Sequence, residues 1–463
     1  MTLWLRADVG ISSTVNNVGQ WSDQSGSISS SAQAKKTATA NTVLSSSGLN
    51  YNPVISFLAN GNSSASPAYF SGSFPAAQLA GTILVVSRPN MTYDFPALFQ
   101  IYETTNNAPG ANIAYLAAGR YLVTSSAGHD GNGPAVVSGV PYVTAALFPS
   151  NNTAVGSQIG NNGVLVNTAN TGSFTTNGSN FYVGRWAANN STNGFTTYQG
   201  DIAEVVYYNR AITTTELVRT QSYLAVKYGL HLDPTAIPNY LASDGSVLWG
   251  GVSNTGYTSA IVGIGRDDNS GLLQYQTRSS AGADILTLGL GAITTSNASN
   301  IASNPGLLAA DKTFLMVGSN GALTSALTTT DLPTNPGTNT PMRMRMQRIW
   351  KAQNTNGVGS LNLQFNLAGA LSSSLGYTPS ELCLLIDRGN TGSFTGAVSG
   401  TGTSGGVLQT AVQVGGSTST VYQFSGVTLN TGDRFTVGLV KKAQTLTFPQ
   451  PNYAMLVGAT QTI

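Results

Sequence analysis

The stretch GDIAEVVYYNRAITTTELVRTQSYLAVKYGLHLD, Gly200 to Asp233, joins a strand to the one helix that the 463-residue chain plainly announces. Ile202, Val205, Val206 and Tyr208 make an apolar run of β-branched and aromatic residues with polar ends, the pattern of a strand. Thr213 stands three residues before Glu216, the spacing of a capping box, in which each side chain satisfies an orphan backbone N–H at a helix start. Leu217, Gln221, Leu224 and Tyr228 then recur at helical spacing, and Gly229 can take the left-handed stop. One helix docks at the end of a first unit, and the rest reads as sheet.

On both sides, short apolar runs alternate with Gly, Asn, Ser and Pro clusters. Val54–Leu58, Thr82–Val86, Leu98–Tyr102, Tyr142–Phe148 and Phe181–Val183 are strands whose spacing leaves no room for crossover helices. After Asp233-Pro234 a second series begins, including Ile261–Ile264, Thr313–Val317, Met342–Trp350, Leu361–Leu367, Leu382–Ile386 and Phe435–Val440. Leu361, Leu363, Phe365 and Leu367 alternate with Asn362, Gln364 and Asn366, so one face is buried and the other wet. Met342, Met344 and Met346 alternate with Arg343 and Arg345 in the same way, which places both arginines on a solvated face. The fold class is all-β, two sandwiches with a short helix between them: residues 1–235, residues 236–442, and a remainder at 443–463 in which Gln444–Phe448 reads as the strand of a following or neighbouring domain.

Composition narrows the function. Charged residues are 8% of the chain, against about 25% in ordinary soluble domains, while hydrophobic residues are 41% and glycines number 53. Hydroxyls and amides therefore keep the surface wet around a full-sized core. The 20 basic and 18 acidic residues are scattered singly, giving a net charge of +2. Such a chain has no field to gather nucleic acid or anionic lipid, and no segment reaches the ~20 apolar residues of a spanning helix. The single cysteine, Cys383, forbids an internal disulfide framework and lies in the apolar run LCLLID, where a thiol is buried and inert.

LWLRAD (Leu3–Asp8), WSDQSG (Trp21–Gly26), YVGRW (Tyr182–Trp186) and the Gly200–Leu230 stretch resemble the start and end of a laminin-G or concanavalin A-like jelly roll, as found in secreted multidomain proteins of Bacteroidetes-type bacteria. GIGRDDNSGLLQYQTR (Gly263–Arg278), LTLGLG (Leu286–Gly291) and RIWKAQ (Arg348–Gln353) resemble the uncharacterised β domain that follows it there. The two resemblances cover nearly the whole chain. They imply an extracellular or cell-surface location in an adhesin, a class often exported by a type IX system, while the export route of this chain stays open. Met1-Thr2-Leu3-Trp4 shows no basic and apolar leader, so an exported form is expected either to have lost one or to begin inside a longer polypeptide.

Jelly rolls include glycosidases, which need two carboxyl groups facing one cleft about 5–5.5 Å apart when they retain configuration. No Glu-x-Asp-x-x-Glu pattern is present. Asp201 and Glu204 are three apart and fall on opposite faces of a regular strand; Asp201 is expected to cap the strand entry and Glu204 to pair locally. The two isolated histidines, His129 and His231, do not supply a metal cluster, and no Gly-x-Ser-x-Gly elbow precedes a helix. We therefore expect a non-catalytic protein. Calcium is the one cofactor the resemblance implies, and the oxygen-rich loops at Asp267-Asp268 and at Asp387 are the candidate ligands, although so few carboxylates would bind weakly. Arg266 more simply pairs with one of its neighbouring aspartates.

Sugar recognition uses aromatic faces and directional hydrogen bonds, so a glycan should lie across the loops at one end or along the concave sheet. Trp186, Asn189, Asn190, Tyr93 and Asp94 are the candidates; Trp4 and Trp21 should be buried in the scaffold. The leading expectation is a surface adhesin segment that binds glycan or another cell-surface ligand. The alternative is a structural subunit of a filament, appendage or surface layer, self-associating when the terminal strand Gln444–Phe448 completes a neighbour's sheet.

Overall fold

A computed structural model describes residues 1–14, 17–28, 33–36, 42–58, 68–78, 81–90, 96–103, 108–116, 120–123, 131–148, 157–167, 178–187, 195–280, 284–333, 342–371, 377–396 and 411–441. The terminal strand expected at Gln444–Phe448 lies outside them.

The regular structure of the described residues is almost entirely antiparallel sheet. An eight-stranded sheet has the order Val164–Asn167, Gln158–Asn161, Tyr142–Leu147, Thr82–Pro89, Gln199–Tyr208, Asn52–Leu58, Thr42–Leu49, and Leu3–Arg6 pairs with the far half of Gln199–Tyr208. A nine-stranded sheet, centred on Ala97–Glu103, Gly178–Val183 and Phe70–Gln78, covers one face of it. Phe57, Phe70, Phe99, Phe181, Val205 and Tyr207 meet between the two in one buried core. The second half repeats the plan with an eight-stranded and a five-stranded sheet around Trp350, Phe365, Phe424 and Phe435.

The centre of the eight-stranded sheet of the first unit is buried on both faces, which is why Ile83–Val86 in the Thr82–Pro89 strand reads as an unbroken apolar run instead of alternating. Its second face carries helix α1, Thr214–Tyr228. The capping box is formed as expected, and Gly229 closes the helix at φ 62°. Leu217, Gln221, Leu224 and Tyr228 are buried, but so are Ser222, Tyr223, Ala225, Val226 and Lys227. The helix is enclosed because the second unit packs on its other side: Ile261, Leu272, Phe314 and Met316 share a core with Val86, Ala203, Val206 and Leu224. A second helix, α2 at Asn297–Ser303, which its polar sequence did not announce, is capped by Ser296.

A hairpin tip fastens this junction. Asn50 and Tyr51, at φ 46° and 64°, form the two-residue loop between paired Leu49 and Asn52; positive φ at both positions defines a type I′ turn, which matches the twist of the flanking strands. Asn50 donates to the carbonyls of Val226 and Lys227 at the helix end and accepts from the Arg278 N–H at 2.7 Å. Asn52 donates to Gln274, and the Tyr51 carbonyl accepts from the Asn297 N–H at the start of α2. These groups are dry, so each satisfied bond matters more than it would on a surface.

Two expectations change. Arg345 is not on a solvated face: the pairing of Met342–Met346 with Arg434–Val440 slips between Met342 and Met344, and Arg345 turns inward to Asp331 at 2.8 Å and over the Phe394 ring. Trp21 is fully buried, but Trp4 is only half-buried, because its ring edges a groove beside α1.

A shared core predicts shared unfolding. Urea denaturation followed at Trp350 in the second unit and by far-UV dichroism should give one coincident transition. Asn50→Ala should lower stability by about 2 kcal/mol or more, since it orphans several buried partners. Two separate transitions would contradict the shared core.

Candidate functional site

Beneath α1 lies a cluster of charges that the strand before it makes possible. Against Thr82–Pro89, the Gln199–Tyr208 strand is in register to Ile202 and resumes at Glu204, leaving Ala203 as a bulge. A bulge resets the alternation of side chains. Ala203 and Glu204 consequently both face the helix, and Asp201, bonded to Ser56 beside Val54, occupies the same face. The expectation that Asp201 and Glu204 point to opposite faces is overturned.

They still do not form a hydrolytic pair. The Glu204 side chain is 0% exposed. It accepts from Trp4 Nε1 at 2.5 Å, Tyr223 Oη at 2.9 Å, Tyr228 Oη at 2.8 Å and Lys227 Nζ at 2.9 Å. Its partner is the distant helix rather than a local neighbour. Lys227 also donates to Asp8 Oδ1 at 3.0 Å, and Arg6 forks onto both Asp8 oxygens at 3.1 and 2.7 Å. Burial works to raise the Asp8 carboxyl, but Lys227 and Arg6 hold it well below the usual carboxylate range. Burial, reinforced by the Glu204 charge, pushes the Tyr223 and Tyr228 hydroxyls well above theirs. Asp201 is held by Arg88 Nε at 2.8 Å and by Ser56 Oγ at 2.6 Å.

The open face of the nine-stranded sheet offers a different chemistry. Phe181 and Val183 point into the core, so Asn180 and Tyr182 point outward. The register sets Lys35 opposite Ser71, Ser71 opposite Tyr182 and Tyr182 opposite Gln100, a row across four strands. A second row sets Ser73 opposite Asn180 and Asn180 opposite Tyr102. Tyr182 meets Tyr102 and Tyr69 edge to face at 5.7 and 6.0 Å, and the Arg185 guanidinium lies over Tyr69 and Tyr182 at 4.5 and 5.3 Å. Burial raises the Tyr182 hydroxyl, so it is a neutral donor at ordinary pH. Gln33, Lys35, Ser71, Ser73, Asn180 and Tyr182 line a hollow of about 340 Å³ on this face. Rings, amides and hydroxyls thus converge where an apolar face with directional polar groups could be gripped.

Of the sugar-binding candidates, Trp186 is half-buried on the Arg185–Ala187 strand opposite Thr196, in a ribbon directly following Tyr182. Tyr93, Asp94, Asn189 and Asn190 lie outside the described residues, as does His129. Tyr182, Ser71 and Lys35 were missed. The YVGRW alternation pointed to Tyr182, but its companions depend on strand order.

The calcium candidates are occupied by protein donors. Asp267 accepts from Ser243 N–H at 2.8 Å, Ser243 Oγ at 2.7 Å and Lys312 Nζ at 2.9 Å. Asp268 takes the Arg266 fork at 2.7 and 3.0 Å. Asp387 accepts from the Thr391 and Gly392 N–H groups at 3.2 and 2.9 Å. A cation at Asp267 would have to displace an ammonium. Cys383 is fully buried beside Met342 Sδ at 3.7 Å, and burial pushes its thiol up to about 12. His231 is held below its ordinary value, chiefly by burial. No described helix is long and apolar enough to cross a membrane.

Residues 216–445, just under half of the chain, match a family described as a domain of unknown function (DUF8202). No curated protein matches. Parts of the structure are similar to the CBM40 of Ruminococcus gnavus IT-sialidase bound to α2,3-sialyllactose (16% identity over 31% of this chain and 83% of that chain, TM-score 0.27). Others are similar to Domain 4 of AbnA, a GH43 extracellular arabinanase from Geobacillus stearothermophilus, in complex with arabinotriose (16% identity, 46% and 93%, TM-score 0.31). A Trypanosoma rangeli sialidase mutant also matches at 13% identity and TM-score 0.27, with 38% of this chain covering 32% of that one. Likenesses this loose say nothing of what the present chain binds.

Glu204→Ala removes the shared acceptor of Trp4, Tyr223, Tyr228 and Lys227 in a dry site and should cost about 3–5 kcal/mol in chemical denaturation. Asp201→Ala, at a pair whose arginine is 37% exposed, should cost about 1 kcal/mol or less. Equal losses would contradict this reading. Cys383 should resist alkylation at pH 8 until the chain is denatured.

Proposed function

We propose that residues 1–235 form a laminin-G or concanavalin A-like jelly roll that binds carbohydrate on the open face of its nine-stranded sheet, within a non-catalytic segment of an extracellular surface protein. The observation that carries this reading is the pair of cross-strand rows, Lys35–Ser71–Tyr182 and Ser73–Asn180–Tyr102, the first of which ends against the fully buried Gln100. An extended polar ligand with apolar ring faces could lie across such rows, stacking on tyrosine and exchanging hydrogen bonds with amides and hydroxyls. Bonds made from a rigid sheet lose little freedom on binding. The non-catalytic part is supported by the engagement of the described carboxylates: Asp8, Asp23, Asp201 and Glu204 each accept from a cation or from several N–H and O–H donors.

A glycan array probed with the intact chain, followed by calorimetry on the best ligand, tests this. Tyr182→Ala should weaken binding by about tenfold or more, in the range of ~1–3 kcal/mol for a lost stacking and hydrogen-bonding anchor, with a retained cooperative unfolding transition as the control that the sheet is still folded. Trp186→Ala separates the sheet face from the ribbon beside it. No binding to any glycan, or binding untouched by Tyr182→Ala, would defeat the proposal.

A further inference from the structure

Cations buried in this fold come with their counter-charges. Among the described residues Lys227 faces Glu204 at 2.9 Å, Arg345 faces Asp331 at 2.8 Å and Arg348 faces Asp284 at 3.5 Å. Lys351, in the RIWKAQ stretch and only 7% exposed, breaks the pattern. Its Nζ donates to the Ser253 carbonyl at 2.7 Å, and no described carboxylate pairs with it. An ammonium buried against one neutral acceptor is costly, and the cost is relieved when a counter-ion is brought to it.

The strands set a second cation beside it. Trp350 lies opposite Phe435, and the two rings stack 5.9 Å apart in the core of the second unit. Alternation sends the next register partners, Lys351 and Arg434, to the other face side by side. Like charges directly opposite one another repel. Burial, with Arg434 adding to it, pulls the Lys351 ammonium below the usual lysine value. Asp387 stands opposite Arg434 on its other side, but its oxygens turn back to Thr391 and to the Gly392 N–H. Arg434 keeps a buried Nε with no partner, and Gly392, at φ 83°, leaves room for Arg434 Nη1, which would stand 2.6 Å from a Cβ at that position. Both charges lie over the Tyr257 ring, Lys351 Nζ at 5.8 Å and the Arg434 guanidinium at 5.5 Å. An aromatic face offsets part of such a charge and neutralises none of it.

We propose that Lys351, Arg434 and Tyr257 form a binding site for a tetrahedral oxyanion, sulfate or phosphate. A dianion matches the two positive charges; the guanidinium presents a fork of N–H donors to its oxygens, and the ammonium has N–H groups beyond the one given to Ser253. Arg434 and Tyr257 are half-buried, so the ion reaches the site from solvent without opening the core. Arg345, the other cation near Tyr257, is already matched by Asp331 and does not compete for it. When filled, the site ties residues 251–257, through Ser253 and Tyr257, to the Trp350–Thr355 and Arg434–Val440 strands.

Equilibrium unfolding of the full chain in sodium sulfate, sodium phosphate and sodium chloride at matched ionic strength tests this. Sulfate and phosphate should stabilise the wild type saturably, on top of the non-saturating effect that these salts have on any fold. Lys351→Met removes an uncompensated charge and should still unfold cooperatively; in it, and in Arg434→Gln, the saturable part should need about tenfold more anion or vanish. Calorimetry with inorganic sulfate and then with a sulfated monosaccharide separates the sources: binding of the ester assigns the site to a group carried on a larger molecule, and binding of inorganic sulfate alone assigns it to the free ion. No saturable stabilisation of the wild type by either anion, or the same saturation in Lys351→Met and Arg434→Gln, overturns the proposal.

Discussion

A carboxylate with no access to solvent must be met by donors from the protein, and at Glu204 the first strand and helix α1 supply them. Trp4 comes from the first strand, Tyr223, Lys227 and Tyr228 from the helix, and Glu204 itself from the last long strand. Removing any of these leaves a buried charge or hydroxyl without its partner, which costs far more than a surface pair is worth. The helix consequently has one seat and one register. Because its opposite side is buried against Ile261, Leu272 and Phe314, that seat also fixes where the second unit begins. The Asn50–Tyr51–Asn52 turn adds a polar fastening at the helix end, so the two units meet through matched hydrogen bonds as well as apolar surface.

Much of this was legible in the residues. The capping box at Thr213 and Glu216, the stop at Gly229 and the alternation of Leu361 to Leu367 are local signals, and local geometry honours them. What escaped is non-local. The bulge at Ala203 cannot be read from a strand that looks regular, yet it reverses the side on which Glu204 emerges. The slip beside Met344 does the same for Arg345. A lysine in the buried stripe of a helix was a signal for Glu204 in hindsight, since a charge inside requires a counter-charge. The family match beginning at residue 216 starts within α1, as suits a helix enclosed by both units.

The sheet face was legible in half. Alternation in YVGRW sends Tyr182 outward while Phe181 and Val183 go in, but its neighbours Ser71 and Gln100 come from strands separated by long stretches of chain. Strand order, not spacing, assembles the row. This division of labour gives the proposed function its physical sense: one face of the first sandwich is spent on anchoring the helix and the second unit, leaving the far sheet's open face to meet a ligand.

The claim on which the rest stands is that Glu204 and Lys227 stabilise the fold through each other. A double-mutant cycle with Glu204→Gln and Lys227→Met, read by equilibrium denaturation, measures that directly. The account predicts single losses that fail to add, with a coupling of about 2 kcal/mol or more; additive losses would show two residues acting independently and contradict it.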